Sequence, residues 1–122
     1  MVKHSIMVVD DSRVVFAEMK KMLAGSGIDI VSFCRSGEDA LREYESVRPD
    51  LVTMDIVMPG MDGLETCREI MKRWPDARVL MVSSLAYDDM IDQAREMGAR
   101  GFLYKPFEKQ ALIGGLVKAL EG

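Results

Sequence analysis

Histidine and cysteine are scarce in this sequence, and long apolar runs and any excess of basic residues are missing altogether. The single histidine, His4, lacks companions and reads as a strand-edge side chain rather than a phosphoacceptor. The two cysteines, Cys34 and Cys67, lack the close spacing of a metal knuckle. They fall on a predicted strand and on the inner face of a predicted helix, which suits buried reduced thiols. A net charge of -4 and a pI near 5.0, with no basic stripe, argue against nucleic-acid binding by this domain. The partner chemistry left is protein. No run approaches the roughly 20 apolar residues that span a bilayer, so no membrane contact is expected. The start, Met1-Val2-Lys3-His4-Ser5, lacks the apolar segment of a signal peptide, so the expected location is cytoplasmic.

What is present is a core. With 48% hydrophobic and 30% charged residues over 122 positions, one domain spanning 1–122 is expected, with no room for a second. The organising stretch runs from Asp50 to Gly63. It is a short apolar run, Leu51 to Met54, capped by Asp55 and broken by Pro59 and Gly60. Asp55 therefore sits at the carboxyl tip of a strand, where open α/β sheets bind ligands.

Strand and helix alternate five times along the chain. Ile6 to Val9 is a continuous apolar strand ending in Asp10-Asp11, and Ser12 caps a helix that Gly25 and Gly27 stop. Ile28 to Phe33 is a second strand, and Ser36 with Asp39 opens a helix ending before Pro49. After the Asp55 strand, Leu64, Cys67, Ile70, Met71 and Trp74 stripe a third helix that Pro75 terminates. Val79 to Val82 is the fourth strand, followed by Ser83 and Ser84. Met90, Ile91, Ala94 and Met97 mark a fourth helix closed by Gly98. Phe102 to Tyr104 is a fifth strand ending at Lys105-Pro106. The last helix turns Leu112, Ile113, Leu116, Val117 and Leu120 inward, weakened by Gly114 and Gly115.

Five such units imply right-handed crossovers and a doubly wound parallel sheet with helices on both faces. One edge then collects Asp10, Asp11, Asp55, Ser83 and Lys105. Carboxylates about 4 Å apart repel by roughly 4 kcal/mol per pair at an effective dielectric of about 20, so the cluster requires a cation. Oxygen-only ligands point to magnesium, which also binds phosphate oxygens. Lysine supplies positive charge for a phosphoryl group and serine a hydroxyl donor. Together these groups describe phosphoryl transfer to a carboxylate.

In motif order and spacing the chain resembles the receiver domains of two-component response regulators, of the chemotaxis CheY type. The motifs are Val8-Val9-Asp10-Asp11-Ser12, the run from Met54-Asp55 to Asp62-Gly63, Val82-Ser83, and Lys105-Pro106-Phe107. The resemblance implies a flavodoxin-like fold with strand order 2-1-3-4-5, and Asp55 as acceptor of a phosphoryl group from a kinase phosphohistidine. It implies magnesium, with manganese as an alternative, held by Asp10, Asp11, Asp55 and the Val57 backbone carbonyl. Lys105 would pair with the phosphoryl group, preceding a cis peptide at Pro106. Ser83 and Phe102 would act as the switch that alters the face of the fourth helix, fifth strand and fifth helix. The implied partners are a sensor histidine kinase or phosphotransfer domain and a downstream protein on that face, with phosphorylation-dependent dimerisation left open. Such a protein is a phosphoacceptor with at most slow autophosphatase activity rather than an enzyme.

Phe102 replaces the commoner tyrosine of the family, and Val57 and Leu85 are apolar where many members are polar. These two positions flank the path of the hydrolytic water, so slow self-dephosphorylation is expected. Asp62 is expected to be a turn or cap residue, Met58 and Met61 to be exposed, and Tyr87 and Tyr104 either to join the partner surface or to cover the sheet. Other classes fit less well. A flavin binder needs a phosphate-cradling loop where Asp10-Asp11 would repel, and a haloacid-dehalogenase-type hydrolase needs a second aspartate at Val57. A phosphorylation-independent interaction module on the same fold is the more serious alternative, yet such domains usually lack one of the five site residues, and here all five are present. The end at Glu121-Gly122 suits a free-standing protein and equally a receiver fragment of a DNA-binding transcriptional regulator.

Overall fold

The computed structural model describes residues 3–85 and 87–121; the expected domain limits, Met1 and Gly122, lie outside them. Five strands, β1 (His4–Val9), β2 (Ile28–Cys34), β3 (Leu51–Asp55), β4 (Val79–Ser83) and β5 (Gly101–Tyr104), pair in parallel in the order β2-β1-β3-β4-β5. The helices between and after them are α1 (Arg13–Leu23), α2 (Gly37–Val47), α3 (Gly63–Arg73), α4 (Asp88–Glu96) and α5 (Lys109–Leu120). This is the flavodoxin-like, CheY-like topology expected from the sequence.

Two core layers arise from the period of the strands. Successive side chains point to opposite faces, so Met7, Val9, Val52, Met54, Val79 and Met81 pack under α2, α3 and α4. Their neighbours Ile6, Val8, Leu51, Leu80 and Val82 pack under α1 and α5 with Met19, Leu112 and Leu116. Being buried on both faces is what makes β1 and β3 continuous apolar runs rather than alternating ones. The same parity sends Phe102 toward the α4 layer and Leu103 toward the α5 layer.

Helix starts follow local chemistry. Ser12, Ser36 and Asp62 accept from the backbone N–H groups of Val15, Asp39 and Glu65, satisfying donors that the first turn leaves free. Asp62 is thus the cap it was expected to be. Both thiols are buried and free, and burial pushes each up to about 11.

Two expectations fail. Val117 is 47% exposed rather than inward. Leu112, Leu116 and Ala119 define the buried line of α5, and one residue on, Val117 is rotated by about 100° from Leu116. Met58 is 6% exposed and belongs to the α2-α3-α4 core, because the loop after β3 folds back onto that layer. Met61 is half-buried.

Candidate functional site

Asp55 is the last residue of β3 and Ser83 the last of β4, paired in register with Val82 and Tyr104 respectively. Asp10 and Asp11 follow β1 directly. Strand order places β1 and β3 side by side, so their tips converge. One carboxylate oxygen from each of Asp10, Asp11 and Asp55 falls within 4.8 Å of the others. Asp10 and Asp55 are only 2% and 5% exposed. From the fifth strand, Lys105 reaches into this cluster, its Nζ 2.7 Å from Asp10 Oδ2 and 3.4 Å from Asp55 Oδ1. The Lys105–Pro106 peptide is cis.

The electrostatics follow from burial and crowding. Unit charges 4.8 Å apart repel by about 3.5 kcal/mol at an effective dielectric of about 20. Burial first, then the neighbouring Asp10 charge, pushes the Asp55 carboxyl up to about 6, and Lys105 only partly opposes this. For Lys105, burial works against the charged form, but Asp10 and Asp55 outweigh it and hold the ammonium above its ordinary value. Three oxygen donors and no nitrogen or sulfur form a hard, shallow ligand set that fits magnesium.

The remaining predicted residues surround this centre. Ser83 is 1% exposed, and its hydroxyl accepts from the Leu85 backbone N–H at 3.1 Å. Ser84 is exposed instead and lines an adjoining hollow of about 280 Å³ with Val15, Lys105 and Phe107. The Val57 and Leu85 side chains are 57% and 37% exposed. Phe102 is half-buried and packs against Tyr104, ring centroids 5.2 Å apart. Tyr104 and Tyr87 are exposed. His4 stands in β1 at the far end of the sheet, 3.9 Å from Asp50.

Three supporting residues escaped the sequence reading. A Cβ on Gly63 would lie 1.9 Å from the Asp55 carbonyl oxygen, and the Gly63 N–H donates to Ile56 O at 2.7 Å. The Asp62-Gly63 pair, directly after the loop, was the available signal. A Cβ on Gly37 would collide with Thr66 Oγ1, so α2 approaches α3 only through a glycine. The Arg35 guanidinium donates to the Asp11 backbone carbonyl at 3.2 Å, tying the first loop to the end of β2.

The sequence matches the pattern of the response regulator receiver domain over residues 6–116. The chain belongs to that family. It is similar to the chemotaxis protein CheY of Listeria monocytogenes, 36% identical over 114 residues that cover 93% of this chain and 96% of that one. CheY of Bacillus subtilis is 35% identical, over 96% of this chain and 98% of its own length. The receiver also superposes on a Borrelia burgdorferi CheX-CheY complex with BeF3 and magnesium, with a TM-score of 0.94 at 27% identity, covering 99% of this chain and 92% of that one. A receiver of this kind is a phosphoacceptor signalling domain rather than a turnover enzyme. No helix among the described residues is long and apolar enough to cross a membrane.

Proposed function

We propose that residues 1–122 form a single receiver whose Asp55 accepts a phosphoryl group from the phosphohistidine of a sensor histidine kinase or phosphotransfer domain. The observation that carries this reading is the placement of a buried Asp55 between two further carboxylates and the Lys105 ammonium. A carboxylate oxygen of Asp55 attacks phosphorus, the P–O bond forms as the P–N bond breaks, and the electron pair leaves on the donor imidazole. Lys105 Nζ, already within 3.4 Å of Asp55, balances charge on the transferred group. Magnesium, or manganese in its place, would be held by Asp10, Asp11, Asp55 and the Val57 carbonyl, and it neutralises phosphoryl oxygens when bound.

The Ser83 hydroxyl would exchange its contact with the Leu85 N–H for one to the phosphoryl group. Phe102, on the next strand, would turn inward behind it and change the face formed by α4, β5 and α5. Couplings of this kind are worth about 1–3 kcal/mol, enough to shift a population. The likeness to CheY proteins supports a chemotaxis-type role in the cytoplasm, with a downstream protein on that face. The apolar side chains at Val57 and Leu85 hold no water, so hydrolysis of the acyl phosphate is slow.

Amide NMR with magnesium and beryllofluoride tests this directly. Shifts should begin at Asp55, Ser83 and Lys105 and extend to Phe102, Tyr104 and α4. Shifts confined to the immediate loops would leave a phosphoacceptor without the switch, and none at all would favour the phosphorylation-independent module.

A further inference from the structure

The carboxyl edge of the sheet carries a second cation besides Lys105. Arg35 directly follows β2, and its backbone is fixed on both sides: the Cys34 carbonyl before it accepts from the Asp10 N–H at 3.0 Å, and Ser36 after it caps α2. The side chain is exposed and reaches over the first loop, where one Nη donates to the Asp11 backbone carbonyl at 3.2 Å. That acceptor is neutral, and it occupies only one arm of a planar fork of donors.

The charge of Arg35 is uncommitted. Among the described residues it makes no ion pair. The acids in the first turn of α2 are placed elsewhere: Asp39 pairs with Arg42, and the Glu38 carboxylate lies 3.3 Å from where a Cβ on Gly60 would stand. Lys105, in contrast, is spent inside the cluster between Asp10 and Asp55. Asp10 and Asp11 each bring a carboxylate oxygen within 4.8 Å of one on Asp55, so the acids that gather a cation also repel an incoming phosphate. An unpaired guanidinium at the rim of such a site offsets that repulsion.

We propose that Arg35 recruits and orients the doubly charged phosphoryl donor at the mouth of the site, one Nη holding the first loop through the Asp11 carbonyl and the free N–H groups facing donor oxygens. The same charge repels a divalent cation, so Arg35 trades magnesium affinity for donor affinity. This rests on the reading of Asp55 as phosphoacceptor and adds a residue that selects donors by charge. A lysine, a point charge without a fork, keeps the electrostatic part and loses the simultaneous hold on the loop.

The test compares Arg35→Ala, Arg35→Lys and Arg35→Glu with the natural protein. Magnesium affinity is measured by calorimetry with no donor present. Phosphoryl uptake at saturating magnesium is followed by intact mass with acetyl phosphate, doubly charged at neutral pH, and with phosphoramidate, whose protonated nitrogen leaves it a single net negative charge. The two affinities should move in opposite directions. Arg35→Ala should bind magnesium about threefold more tightly, and Arg35→Glu more tightly still. Its second-order rate with acetyl phosphate should fall about three- to tenfold, and its rate with phosphoramidate less. Arg35→Lys should stay close to the natural protein in both, and added salt should slow acetyl phosphate uptake more in the natural protein than in Arg35→Ala. A purely structural clamp gives another pattern, in which Arg35→Ala loses both affinities and lysine restores neither. That pattern, equal losses with the two donors, or unchanged rates in all the variants while Asp55 is still phosphorylated would overturn the proposal. No uptake by the natural protein would overturn the phosphoacceptor reading, and the proposal with it.

Discussion

The Lys105 ammonium lies nearer to Asp10, 2.7 Å from Oδ2, than to Asp55, 3.4 Å from Oδ1. It acts as a counter-ion built into the carboxylate cluster, so a divalent cation recruiting Asp10 competes with it. In Lys105→Met that competitor is gone and the repulsion among the acids is unrelieved. The variant should bind magnesium several-fold more tightly by calorimetry, yet accept phosphoryl from acetyl phosphate at least about tenfold more slowly. Weaker magnesium binding would contradict the competition.

Asp55 gives the metal-free protein a defined pH dependence. Its carboxyl is raised from 3.8 to about 6, first by burial and then by Asp10. Between those values the native state holds more protons than the unfolded chain, so stability falls as pH rises through the window and levels off above it. Asp55→Asn is neutral throughout. At pH near 7 it should be more stable than the natural protein by about 1–3 kcal/mol, and the gap should close toward pH 4. Urea melts at both pH values check this, and a variant no more stable at neutral pH refutes it.

Glycines at two positions should respond in opposite directions. Gly63→Ala forces a Cβ to 1.9 Å from the Asp55 carbonyl, backbone that has nowhere to go, and should cost more than about 2 kcal/mol. Gly114 sits in α5 with nothing within 4 Å of a Cβ, so Gly114→Ala should stabilise by about 0.5–1 kcal/mol. Equilibrium denaturation separates the two, and similar effects from both would contradict the packing described.

Hydrolysis of phosphorylated Asp55 should be slow because Val57 and Leu85 present apolar, solvent-exposed side chains beside it. Val57→Asn, which can hold a water, should shorten the phosphoryl half-life several-fold. A half-life of seconds in the unmodified protein would contradict this view.

The site was legible because its residues mark the ends of apolar runs. Asp10, Asp11, Asp55, Ser83 and Lys105 each follow or close a strand, and parallel order alone brings the tips together. Requirements set across elements left no such mark. Gly63 and Gly37 are dictated by a carbonyl and a hydroxyl on other segments, and Arg35 meets Asp11 across 24 positions with no local pattern. Hydropathy misplaced Val117 because it records which side chains prefer burial, whereas the width of a helix face decides which are buried; Met58 was misplaced by its position in the loop beside the site, whose path folds it back onto the core.

The most direct measurement is intact-mass spectrometry after incubation with acetyl phosphate, with and without magnesium, on the protein and on Asp55→Asn. A single phosphoryl adduct that requires both magnesium and Asp55 is the predicted result. An adduct that persists in Asp55→Asn, or none under any condition, would contradict the assignment of Asp55 as the phosphoacceptor.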